Sequence, residues 1–203
     1  FSDSAALTVS TGAILNLNAN SETVGSLQST SGAGGTIEFG GATLTLASGA
    51  SSFGGDFGFS NGTIVINSGQ SLTLTDSFNA SNINIVLNGG SLFLGSGLTQ
   101  TFGSLTVTGT GTSVIDFGTT GATTAQFSSV NVTGTGTLSV TNWTNAVDYF
   151  LATSSPGAQG TSPTNKVVFA GYVGNDTKWV PFNGGTNGQL TPVPEPSTYG
   201  AFF

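Results

Sequence analysis

The chain has no cysteine, no methionine and no histidine, and Lys166 and Lys178 are its only basic side chains. Each absence removes a class of function. Without cysteine there is no disulfide, no thiolate nucleophile and no zinc–sulfur site. Two cations against nine carboxylates, a net charge of −7, cannot build the basic patch that displaces counterions from nucleic-acid phosphate. The same shortage excludes electrostatic docking on an anionic membrane surface. Charged residues make up 5 % of the chain, against about 25 % in an ordinary soluble protein. No apolar run of about 20 residues is present, so no stable membrane-spanning helix is expected.

What is present is glycine, serine, threonine and short alternating runs. Hydrophobic residues are 36 % of the chain and alternate with polar ones, which argues against disorder despite 32 glycines. A two-strand unit recurs: apolar-x-apolar, a Gly-containing turn, apolar-x-apolar. It reads "LTVSTGAILNL" from Leu7, "IEFGGATLTL" from Ile37, "IVINSGQSLTL" from Ile64 and "IVLNGGSLFL" from Ile85, with looser copies from Leu105 and Val130. Unit starts about 20–30 residues apart fall in the range of solenoid repeats. Period two gives each strand one apolar face, and Gly, Asn and Ser supply the turns. No helical periodicity appears anywhere.

The expected fold is therefore all-β: a parallel β-helix, with a β-sandwich as the alternative that the strand count also allows. Leu46, Ile66 and Leu87 form one expected ladder, and Leu74 and Leu94 another. The tidy repeats place the β-helix at residues 1–129. Residues 130–190 read as a C-terminal β cap region anchored by Trp143, Phe169, Tyr172 and Trp179, and 191–203 as a separate tail. Trp143 and Trp179 have two readings, core packing or an aromatic platform for a glycan; aromatics supply much of the area in a lean core, which favours the first.

Catalysis finds little support. The acids Asp3, Glu22, Glu38, Asp56, Asp76, Asp116, Asp148, Asp176 and Glu195 are scattered. Glu38 and Asp116 occupy matching positions in "IEF" and "IDF" without any reason to meet, whereas a glycosidase needs two carboxylates within about 5–10 Å. No histidine is available as a base near neutrality. No catalytic residue, metal site or cofactor is expected. "GGDFGFSNG" (54–62) is one imperfect copy of a calcium nonapeptide and reads as a surface turn. The sequons at Asn61, Asn79 and Asn142 are weak signals for glycans.

Two stretches carry family resemblances. "SETVGSLQSTSGAGGTIEFGGATLTL" (21–46) and "TQTFGSLTVTGTGTSVIDFG" (99–118) resemble autotransporter-associated β-strand repeats. That resemblance, covering about residues 7–118, implies a right-handed parallel β-helix on a secreted or surface protein. "VPEPSTYG" (193–200) looks like the start of a PEP-CTERM sorting signal, with Val193, Pro194, Glu195, Pro196, Ser197 and Thr198 as the motif. The family's apolar helix and basic cluster do not follow Phe203: they were removed in maturation, or the chain is a shortened form. Phe1 in place of an initiator Met similarly fits a chain that has lost a signal peptide, or a trimmed one.

These resemblances imply a Gram-negative bacterium, export to the extracellular space or outer cell surface, and an exosortase-type processing enzyme as a partner. The expected function is non-catalytic and structural. An open-ended, weakly charged β-helix suits head-to-tail self-assembly into filaments or matrix, as in a biofilm, with Phe1, Tyr199, Phe202 and Phe203 as candidate contacts. The alternative is a monomeric surface module that binds extracellular polysaccharide.

Overall fold

The computed structural model describes residues 3–30, 34–172, 177–182 and 187–193. The chain winds into a β-solenoid of about seven turns with parallel sheets. The first coil holds β1 (Ala6–Val9), β2 (Ile14–Asn16) and β3 (Glu22–Val24); the second holds β4 (Ser26–Ser29), β5 (Thr36–Glu38) and β6 (Thr43–Leu46). The third holds β7 (Ala50–Phe53), β8 (Asp56–Phe57) and β9 (Gly62–Asn67), and the fourth β10 (Ser71–Leu74), β11 (Phe78–Ala80) and β12 (Ile83–Asn88). In the fifth, β13 (Ser91–Phe93) is followed by the long β14 (Thr99–Val107), and in the sixth β15 (Thr112–Asp116) by the equally long β16 (Thr124–Val132). The seventh contains β17 (Thr137–Thr141) and β18 (Tyr149–Ala152). A short 3-10 turn at Thr164–Lys166 leads into β19 (Val167–Phe169), and β20 (Thr177–Pro181) and β21 (Gly188–Pro192) close the order.

The strands fall on three faces. The first is β1-β4-β7-β10-β13-β15-β17-β19. The second begins as β2-β5-β8 and resumes with β11 and the leading halves of β14 and β16, ending on β18. The third is β3-β6-β9-β12 and the trailing halves of β14 and β16. In β14 the burial alternation slips at Phe102 and Gly103, both buried, where the strand bends from the second face to the third. Parallel pairing between successive coils rules out the sandwich, whose strands would pair antiparallel.

Inward side chains stack coil on coil. Leu46 pairs with Ile66 and Ile66 with Leu87, as expected, and the rank extends to Val24, Val107 and Val132. All six are buried. Leu74 and Leu94 are likewise buried, two residues past the Leu72–Leu92 pair. A phenylalanine stack runs inside the second face through Phe57, Phe78, Phe102, Phe127 and Phe150, with neighbouring ring centroids 4.8–6.2 Å apart.

Two expectations change. The unit starts at Leu7 and Ile37 lie on the first and second faces, not in line with Ile64, Ile85, Leu105 and Val130 on the third. The true neighbour of Ile64 in the preceding coil is Leu44. All three faces use apolar-x-apolar, so the pattern marks a strand without marking its face. The boundary at 129 also moves. Val132 pairs with Val107, Val140 with Ile115 and Phe169 with Val140, all in parallel, so the coils run on to Phe169. The longer aromatic-rich connections after Val132 hide this continuity. Among the described strands, antiparallel pairing is confined to β20–β21 and to β21 against β18.

Candidate functional site

The coil that opens the described solenoid is built differently from those behind it. β1, β2 and β3 are the terminal strands of their sheets, and no strand among the described residues pairs with the outer edge of β1 or β2. On β1 and β2 the leading inward residues are less covered, while Val9, Leu17 and Val24 of the same coil are buried. Leu7 is half-buried above fully buried Leu27, and Leu15 half-buried above fully buried Ile37. Ile14 in β2 is 71 % exposed. Two ladders thus reach this end half-covered, at Leu7 and Leu15, beside backbone edges able to accept another strand.

The opposite end is covered. Leu190 of β21 is fully buried, and Thr177 Oγ1 donates to the Val167 carbonyl at 2.6 Å, satisfying an acceptor on β19. Trp143 packs edge-on against Phe169 at 4.8 Å and Tyr172 at 5.5 Å. Three of the four expected anchors therefore form one cluster. Trp179 stands apart, its indole N–H donating to the Ala152 carbonyl at 3.4 Å while Gly188 lies against the ring.

The placement of the tryptophans favours the packing reading over the glycan platform. Trp143 is 5 % exposed and Trp179 half-buried against the core, so neither presents a free ring for a sugar to stack on. A cleft of about 330 Å³ lies beside Trp143, lined also by Asn142, Thr144 and Asp148. The buried Trp143 indole N–H has no hydrogen-bond partner among the described residues, whereas the carboxylates and the amide beside it already serve the fold. Asp148, 3 % exposed, accepts from Thr123 N at 2.8 Å and Thr144 N at 2.7 Å. The Asn142 amide donates to Asp116 Oδ2 at 2.8 Å, and Asp116 also accepts from Gly118 N and Thr141 Oγ1.

Glu38 and Asp116 lie on different faces, in β5 and β15. Their matching motifs are displaced by one face: "TVGSL" crosses from the third face to the first, and "TFGSL" from the second to the third. The motif encodes a corner and the strand after it, not a whole coil. Among the described residues no group of three Asp or Glu could hold a metal ion, and no helix is long and apolar enough to cross a membrane. Val193 follows β21, while Pro194, Glu195, Pro196, Ser197 and Thr198, together with Phe1, Tyr199, Phe202 and Phe203, lie outside the described residues. Sequence reasoning passed over Ile14, because an exposed isoleucine beside a turn has no distinguishing pattern.

No family model, curated protein or solved structure matches the chain.

Proposed function

We propose that this chain is a non-catalytic extracellular structural protein of a bacterial surface or matrix, exported and processed through a PEP-CTERM-type signal, that assembles head to tail with copies of itself. The observation that carries the assembly reading is the partly uncovered first coil: the β1 and β2 edges beside half-buried Leu7 and Leu15 and exposed Ile14. At the other end β20 is the outermost strand of its sheet and β19 of the first face. Joining unlike ends is a heterologous contact, which propagates as a filament when it does not close. The processing reading rests on the sequence of residues 193–200 alone.

Electron microscopy of the native secreted material, with the intact mass of its chain, tests both parts. Filaments built from a chain ending at or near Phe203 support them. Ile14→Lys places a charge on the open edge without touching the core, and is expected to leave a folded monomer that does not assemble. Deletion of residues 196–203 is expected to do the same if the tail docks on a neighbour. A variant that polymerises like the native chain removes its segment from the contact.

A further inference from the structure

The outward side of the third face is unlike the other two. On the first face the outward rank Thr8, Gln28, Ser52, Thr73, Phe93, Asp116, Thr141 contains an aromatic and a charge. On the second face Glu38, Asp56 and Tyr149 point outward. The third face carries two ranks with neither. One is Thr43, Thr63, Asn84, Ser104, Ser129; the other is Thr23, Thr45, Val65, Val86, Thr106, Asn131. All are partly exposed except Asn131, which is exposed, and they alternate with the buried ladder.

This arrangement is a grid. Neighbouring coils repeat at about 4.7–4.9 Å and the two ranks stand about 6.6 Å apart along the strand, two residues at about 3.3 Å each. Parallel register is unbroken from β3 to β16, so the grid does not drift. It is also stiff. Asn84 Oδ1 accepts from Ser104 N at 2.8 Å and Ser104 Oγ at 2.9 Å, which locks one rung to the next, and β-branched Thr and Val have restricted χ1. A surface of hydroxyls, methyls and the two amides of Asn84 and Asn131 on a fixed two-dimensional repeat, with no charge in either rank to order water radially, is complementary to a solid that is itself a repeating lattice of water.

We infer that the outward third face is an ice-binding surface, its hydroxyls hydrogen-bonding and its methyls seating ordered water in register with a crystal plane. Each rung contributes weakly; the number of rungs held in register makes adsorption durable, and preorganisation removes the ordering cost. The inference is independent of end-to-end assembly, because the face lies on the flank.

The test uses the full chain, purified as a monomer by size exclusion, in assays of ice-crystal shaping, thermal hysteresis and recrystallisation inhibition. The native chain is expected to shape crystals and slow recrystallisation. Thr45→Tyr and Thr106→Tyr, which break the grid from outside, are expected to lose that activity. Ser91→Tyr on the outward first face is the control and is expected to keep it, with circular dichroism confirming the β signal of all three. The inference is overturned if the native monomer leaves ice growth unchanged, if the control loses as much as the face variants, or if the face instead retains the chain on a neutral insoluble polysaccharide without affecting ice.

Discussion

At the scale of single residues, the core depends on a few side chains that the hydrophobic pattern does not single out. Phe102 is 1 % exposed, with ring centroids 6.2 Å from Phe78 and 6.1 Å from Phe127. Truncation to alanine opens a cavity in the middle of the stack and is expected to cost about 3–5 kcal/mol, read from chemical denaturation. Gln100 is fully buried and satisfies three backbone groups, accepting from Phe78 N at 3.1 Å and donating to Asp76 O at 2.9 Å and Leu94 O at 2.7 Å. Gln100→Leu keeps the bulk and strands those groups, at about 1–3 kcal/mol for each left without water or another partner. A loss no larger than that of a Thr101→Ala control, at a partly exposed outward position, would mean that solvent replaces the amide. Ser51 plays a similar part, buried in the first face and accepting from Leu27 N at 2.9 Å. In the sequence both residues look like breaks in the apolar frame, because a buried polar side chain is recognisable only by its partners, here one coil away.

At the scale of the strand and its corner, close approach between coils decides which residues fit. A Cβ on Gly25 would meet the Ser4 carbonyl, and one on Gly103 would lie 2.5 Å from Asn84 Oδ1 and 3.0 Å from the Ile83 carbonyl. Solenoid stability is a sum of coil and neighbour terms, so the two sites should behave differently. Gly25→Ala pushes back only the first coil, and hydrogen exchange is expected to quicken in β1 and β4 while β9 to β16 stay protected. Gly103→Ala strains an interior corner and is expected to lower the midpoint of the whole transition. Uniform loss of protection in Gly25→Ala would contradict coil-by-coil stacking. The ladders Leu46–Ile66–Leu87 and Leu74–Leu94 were legible in the sequence because period two reports burial directly. The face of each strand was not, since corners at Gly25 and Gly103 carry the same letters on different faces. The aromatic cluster of Trp143, Phe169 and Tyr172 was legible as packing. The open edge at β1 and β2 was not, because exposure at an end is set by whether another strand stacks beyond it.

At the scale of the whole molecule, the balance is between an apolar end and a net charge of −7. Two copies stacked end to end repel through that charge, while the new contact covers Leu7, Leu15 and Ile14, whose burial gains about 25 cal/mol for each Å² of apolar surface removed from water. Repulsion between exposed charges is screened beyond about 8 Å at physiological ionic strength, and the apolar gain is not. Assembly should therefore strengthen as salt is raised, the reverse of a contact held by exposed ion pairs. Sedimentation velocity of the native chain at low and physiological ionic strength measures this. The expected result is a shift to larger species with salt, absent in Ile14→Lys at the same protein concentration. Assembly that weakens with salt would move the contact away from the first coil, towards charged residues such as Lys178 on β20 and the carboxylates Glu38 and Asp56 on the second face.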